Sequence, residues 1–566
     1  MRLPLHLAAA ALLALSSVVT AFGSAYNGRP KLVVIVVIDQ FRGDYLERYH
    51  DQFADGGFRL FLDRGAVFTD CAYNYANTRT APGHATLLTG AYSNGHGIIA
   101  NEWWDPKRVD ARGKAASGMV TSVWDAGRKF VGIADNGTGA ASPHNLKGST
   151  LGDELKLATQ GKSRVFALAL KDRAAILPGG FSADGAYWID KDSGAWITSD
   201  YYGARLPNWV AEFNRGKRAD KYWNLEWKDA NGKVLRTTTP RKAQDGSPAS
   251  FYEVIGSTPF ANQYEFEFAR ELVTNEKLGD GPVTDLLLIS LSANDILGHQ
   301  AGPDSPEMQA MAMAMDRELA EFFGFLGRQV GLANLWIALS ADHGVAPIPT
   351  VAAKLRIPAR AIDTPRMHEE LNARLSARFS PTTIRKYVAE LDYPLAWLDE
   401  AAFKAAGVQE GAAERAVGEV LKEMGMQGYF TREQLARGDV PHDETGLRYL
   451  HSYAATGGWY AMGIPAPYTV GVTSGTDHAS PFTYDTHVPL AFYGLPFQAG
   501  TYRTHAEPVD LATTFASLLG INAPSHAIGR VLTEALAQPR RPETSWLPAS
   551  EHAGEAGESH WAGGTR

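Results

Sequence analysis

A single cysteine, Cys71, stands in a chain of 566 residues. That excludes an intramolecular disulfide framework and any cysteine-rich metal site. Cys71 also lacks the C-x-P-x-R surroundings that a sulfatase nucleophile requires. Positive charge is not in excess either: the net charge is −8 and the isoelectric point near 6.1, so neither nucleic acid nor an anionic membrane surface is expected as a partner. Long apolar runs of membrane-spanning length are missing. The run from Leu7 through Val19 follows Arg2 and closes on small residues at Thr20-Ala21 or Ser24-Ala25. It is too short to span a bilayer and has the three-part composition of a secretory signal peptide, read here as residues 1–25. No cysteine follows it to carry a lipid. The mature protein is therefore expected to be periplasmic or secreted, monomeric, and without stable membrane association.

What is present reads as a globular α/β enzyme, with 45% apolar and 20% charged residues. The chemistry centres on Asn77-Thr-Arg-Thr-Ala-Pro-Gly-His-Ala-Thr-Leu-Leu-Thr-Gly90. A hydroxyl at Thr80 followed by Ala81, Pro82 and an Ala/Leu run predicts a loop feeding a helix, with Thr80 at the helix N-terminus. Free N–H groups and the positive end of the helix dipole gather there, which suits an alkoxide nucleophile or the phosphate it receives. An ordinary threonine cap would look the same locally.

Four aliphatic runs predict strands of a largely parallel sheet buried on both faces: 31–38, 163–170, 284–291 and 334–340. Asp39 follows the first, Lys171-Asp172-Arg173 the second, Asp295 and His299 the third, and Asp342-His343-Gly344 the fourth. Ligands of open α/β sheets gather at such strand ends. The D-x-x-x-H spacing puts Asp295 and His299 on one helical face. Lys171 and Arg173 would point the same way if strand geometry persists beyond 170, and two cations suit a dianionic phosphate. Asn101, after Gly95 and Gly97, could present an amide donor to a substrate oxygen. Further on, His478 and His487 precede a strand at 488–493, and a helix is expected over 510–519.

Two stretches interrupt this pattern. Residues 179–263 are rich in Gly, Tyr and Trp with poor periodicity, and read as an inserted segment whose aromatics form either a substrate mouth or their own small core. Residues 350–460 read as a second, helix-rich insertion with nothing catalytic in it. A Met-rich amphipathic helix over 305–328 reads as core packing. Residues 26–537 would then be one catalytic domain, and 538–566, rich in Pro, Gly, Ser and Glu, a flexible tail.

Carboxylate oxygens with imidazole nitrogens and no thiolate are the donor set of zinc in hydrolytic sites. Asp39, Asp295, His299, Asp342, His343 and a histidine from 478 or 487, joined by Thr80, are enough for two ions. A two-metal clamp suits in-line displacement at phosphorus.

These segments together resemble the alkaline phosphatase superfamily, and most closely the bacterial phosphate-insensitive alkaline phosphatases that use threonine. The resemblance rests on Val37-Ile-Asp39-Gln, Thr80-Ala-Pro-Gly-His84, His96-Gly-Ile with Asn101, Lys171-Asp-Arg173, Asp295 with His299, Asp342-His343-Gly344, and His478 through Tyr-Asp-Thr-His-Val-Pro489. It implies an alkaline-phosphatase-like central sheet flanked by helices with two inserted cap segments. It further implies one zinc on Asp39, Asp342, His343 and Thr80, and a second on Asp295, His299 and His478, with His487 behind the ligands. Thr80 would form a phosphothreonine from small phosphate monoesters, while Asn101, Lys171 and Arg173 hold the non-bridging oxygens. The alternatives are a nucleotide pyrophosphatase/phosphodiesterase on the same fold, which the K-x-R pair disfavours, and a catalytically silent secreted binding protein.

Overall fold

The four aliphatic runs become the middle of one ten-stranded sheet. The computed structural model describes residues 28–108, 116–134, 137–240 and 249–537, so the signal-peptide reading and the C-terminal tail lie outside the described residues. The strands in chain order are β1 (Leu32–Ile38), β2 (Ala66–Phe68), β3 (Phe130–Val131), β4 (Val165–Ala169), β5 (Gly185–Ile189), β6 (Trp196–Ser199), β7 (Asp285–Leu291), β8 (Leu335–Ser340), β9 (Leu490–Tyr493) and β10 (Gly500–Tyr502). Their order across the sheet is β10-β2-β9-β8-β1-β7-β4-β5-β6-β3. The five strands from β8 to β5 are mutually parallel, and antiparallel pairs flank them on both sides.

Every residue of β1, β4, β7 and β8 is buried, which explains their largely aliphatic sequences. Each aliphatic side chain removed from water there contributes about 1.5–3 kcal/mol. The register pairs Ile38 with Leu291 and Val37 with Ser340. β1, β7 and β8 therefore end level with one another, and the residues that follow them meet at one edge of the sheet.

The helices used below are α1 (Thr80–Thr89), α2 (Asp172–Gly179), α3 (Pro259–Asn275), α4 (Ala293–Ala301), α5 (Pro306–Gln329), α6 (Glu410–Glu423) and α7 (Asp510–Leu519). On α5, Met308, Met311 and Met315 are buried, in keeping with a packing role. Among the described residues no helix is long and apolar enough to cross a membrane.

Both inserted segments differ from their sequence reading. The first is not wholly outside the sheet, because β5 and β6 fall within 179–263. β5 reads Gly-Ala-Tyr-Trp-Ile and is short and aromatic, so it lacks the aliphatic signature of its neighbours. Of the two aromatic readings, the small core is the one seen: Trp196 stacks on Phe268 of α3 at 4.0 Å, and Trp209 lies 5.0 Å from the same ring. The second segment carries a four-stranded antiparallel sheet, Val388–Asp392, Leu395–Leu398, Tyr460–Ile464 and Gly428–Thr431, packed against α6. Helical spacing at 364–379 and 410–423 dominates the sequence there, and the short strands between are easily passed over.

Candidate active site and metal centre

Three adjacent parallel strands deliver the acidic groups. Asp39 follows β1, Asp342 follows β8, and Asp295 sits in the first turn of α4 just beyond β7. Asp39, Asp342 and His343 place one ligand atom each within 4.8 Å of one another, and so do Asp295, His299 and His478. His343 Nε2 lies 3.6 Å from Asp39 Oδ1 and 3.4 Å from Asp342 Oδ2. His299 Nε2 lies 3.2 Å from Asp295 Oδ1, and His478 Nε2 lies 4.0 Å from the same oxygen. The His343 and His478 rings stack at 3.8 Å, which brings the two trios side by side.

The tautomers follow from the backbone. Nδ1 of His299, His343 and His478 lies 2.9, 2.9 and 2.6 Å from the carbonyls of Thr476, Gly344 and Thr78. A carbonyl can only accept, so each Nδ1 carries a proton, and each ring in its neutral form turns the Nε2 lone pair into the site. His343 Nε2 and Asp39 Oδ1 are buried and have no hydrogen-bond partner among the described residues. Unpaired buried groups of this kind are costly, and a cation between them would relieve that cost. The donor set thus fits divalent metal ions.

Electrostatics point the same way. Burial, with Asp295 and Asp342 alongside, pushes the Asp39 carboxyl well above the usual carboxylate range. Burial would raise Asp295 too, but Lys171 and His299 hold it well below that range. Burial and the neighbouring imidazoles push His478 far down, and burial lowers His343, so both rings are neutral, as metal ligands must be. His299 stands apart: burial is overcome by Asp295 and it is raised to about 9.

Thr80 is the first residue of α1, buried, with Arg79 as the extended residue before it. Lys171 Nζ lies 3.4 Å from Thr80 Oγ1, 2.7 Å from Asp39 Oδ2 and 2.5 Å from Asp295 Oδ2. It touches the hydroxyl and one carboxylate from each trio. Strand alternation does not carry on to Arg173: Lys171 is the extended N-cap of α2, and Arg173 already lies in the helix. Arg173, in the first turn of α2, has a buried Nε without a hydrogen-bond partner among the described residues. Asn101 Oδ1 accepts the Ala81 N–H at 2.8 Å, which fixes the amide and leaves its NH₂ to donate elsewhere.

His487 is not behind the ligands. Its ring lies beside Gly43, and Nε2 is 3.0 Å from the Thr69 carbonyl. The side chains holding the ligands in place went unassigned in the sequence. Gln40, at φ +64°, donates its N–H to Asp342 Oδ1 (3.0 Å) and its amide NH₂ to Asp295 Oδ1 (2.8 Å). His84, one turn after Thr80, lies 2.9 Å from the Thr80 carbonyl, 2.7 Å from Ser290 Oγ and 3.2 Å from Asp342 Oδ2. Asn294 donates to the Asp39 carbonyl at 2.9 Å. Their adjacency to Asp39, Thr80 and Asp295 in the chain was the available signal.

Comparison with known proteins gives the family. The family model for type I phosphodiesterase / nucleotide pyrophosphatase matches residues 33–407. A Myroides odoratus protein named calcium-transporting ATPase is 33% identical, covering 90% of this chain and 95% of its own. Alkaline phosphatase PhoV of Synechococcus elongatus is 31% identical over 90% of this chain and 93% of its own. The crystal structure of alkaline phosphatase PafA superposes with a TM-score of 0.80 at 30% identity, covering 90% of this chain and 99% of that one. A PafA variant solved with one threonine, one asparagine, one lysine and one arginine replaced superposes with a TM-score of 0.79. The resemblance read from the sequence is borne out, and the chain belongs to the type I phosphodiesterase / nucleotide pyrophosphatase family within the alkaline phosphatase superfamily, on the side of its phosphomonoesterases.

Proposed function

We propose that this protein is a periplasmic or secreted alkaline phosphatase that hydrolyses small phosphate monoesters through a phosphothreonine at Thr80, with two zinc ions as cofactors and the monomer as the working unit. The observation that carries the reading is the position of Lys171, whose ammonium group reaches Thr80 Oγ1 and a carboxylate of both trios at once. The proposed nucleophile and a carboxylate of each candidate ligand set thus lie around one ammonium group. The four residues altered in the PafA variant have the same types as Thr80, Asn101, Lys171 and Arg173, and the Thr–Asn and Lys–Arg pairs have the same sequence spacings, which supports giving these four the chemistry.

Asp39, Asp342, His343 and Thr80 would hold one ion, and Asp295, His299 and His478 the other. Zinc there would supply Lewis-acid stabilisation of the attacking and leaving oxygens. The chain's own residues do the rest. The Thr80 hydroxyl gives up its proton and attacks phosphorus. The bond to the leaving oxygen breaks with its electron pair, and the alcohol departs protonated. Water then displaces phosphate from Thr80 in a second in-line step. Lys171, Arg173 and the Asn101 NH₂ bind the non-bridging oxygens, most strongly as charge redistributes in the transition state.

The cation pair favours monoesters over diesters, since a diester leaves one charge fewer to satisfy and brings a second organic group. Nucleotide pyrophosphatase/phosphodiesterase activity is the second reading, because the matching family model carries that name. The deciding experiment compares kcat/KM for an aryl phosphate monoester and the matching diester. A large monoester preference that collapses in the Lys171→Ala, Arg173→Ala double variant is expected, and equal or better diester turnover would replace this proposal. Thr80→Ala should abolish turnover while leaving bound metal largely in place, and retained hydrolysis would remove Thr80 from its role.

A further inference from the structure

We propose that the second inserted segment aims the Thr80 hydroxyl, and that Arg79 is a positioning residue for phosphoryl transfer. The inference rests on the reading of Thr80 as nucleophile. It starts from the backbone entering α1, where successive residues are tied down. The N–H groups of Ala76 and Asn77 donate to Ser452 Oγ at 2.7 and 3.3 Å. The Ser452 hydroxyl donates in turn to the Arg448 carbonyl at 2.8 Å, which turns its lone pairs toward the loop. Thr78 Oγ1 accepts the Ala479 and Ser480 N–H groups at 3.2 and 3.0 Å. Arg79, almost wholly buried, reaches Asp392 Oδ1 at 2.9 Å and the carbonyls of Asp392 and Tyr393 at 3.2 and 2.9 Å.

Two of these anchors, Ser452 and Asp392–Tyr393, belong to the inserted segment. They grip the chain on either side of Thr78, at Ala76–Asn77 and at Arg79. Threonine is β-branched and has few χ1 choices, so where Oγ1 points depends on the backbone at Arg79, which is extended at φ −134°, ψ 160°. An arginine that spends one nitrogen on a carboxylate and another on two carbonyls fixes an orientation as well as a charge. A buried ion pair is a weak source of net stability, so positioning accounts better for its presence beside the nucleophile.

The test is rapid-quench measurement of phosphothreonine formation at Thr80 from an aryl phosphate, in the full-length metal-loaded protein. Arg79→Lys keeps the charge but loses the fork; it and Asp392→Asn should slow phosphorylation about tenfold or more, with bound metal and the inhibition constant for inorganic phosphate unchanged. Ser452→Ala, a milder change in the same segment, should slow it less. In a Thr80→Ser background the Arg79→Lys penalty should shrink, because serine can rotate to recover its aim. Phosphorylation at the wild-type rate in these variants, an equal penalty in both backgrounds, or loss of metal in step with activity would each overturn the inference. A wild-type protein that carries no phosphate on Thr80 would instead remove the nucleophile reading, and this inference with it.

Discussion

A Cβ added at Gly83 would lie 2.3 Å from the Asp342 carbonyl oxygen and 2.7 Å from the Asp342 Cβ. α1 thus rests directly on the end of β8, and no side chain fits between the helix of the proposed nucleophile and Asp342, a proposed metal ligand. Gly83→Ala should force the two apart, costing about 1–3 kcal/mol of stability and about a hundredfold or more in kcat/KM, as read by urea unfolding and monoester hydrolysis. A variant with wild-type turnover would mean that this contact relaxes freely. Gln40 works at the same scale. Gln40→Ala removes the amide bonded to Asp295 while the backbone donor to Asp342 stays. Metal affinity is expected to fall about 10–100-fold, measured by equilibrium dialysis against a chelator. The carboxylates were legible in the sequence because each stands just past an aliphatic run. Gln40 and His84 were marked only by standing close to Asp39 and Thr80 in the chain, and their roles stayed hidden because their partners come from other strand ends.

At the scale of elements, aliphatic strands announce themselves and aromatic ones do not. β1, β4, β7 and β8 read directly as buried strands, whereas β5 and β6 looked like part of an irregular insertion. The direction of Arg173 was likewise hidden, since it depends on α2 beginning one residue earlier. The inserted segment has its own electrostatics. Glu414 on α6 is buried and accepts the Glu433 N–H at 3.0 Å. Burial, only partly offset by that amide, pushes its carboxyl up from 4.5 to about 8. A group whose native pKa is raised contributes stability that is full below the unfolded value and is lost as pH rises through the folded one. Stability should therefore decline between pH 4.5 and 8 through this residue. Glu414→Gln should flatten that decline in urea unfolding curves, and an unchanged slope would assign it to other groups.

At the scale of the whole molecule, three carboxylates at the end of one sheet repel each other and are only partly offset by Lys171. Bound cations stabilise only the folded form that assembles those carboxylates. Chelation should lower the melting temperature as well as activity, and added zinc should restore both; a melting temperature indifferent to chelator would contradict the metal centre. The six candidate Asp and His ligands run from Asp39 to His478. A ribosome or an export channel releases the chain from its N-terminus, so the second trio lacks its last donor until residue 478 has emerged. Metal capture by the second trio would therefore come late in the synthesis of each molecule. In a chain exported unfolded, the ion that ends up in the site is chosen by the compartment where export finishes, not by the one where synthesis began.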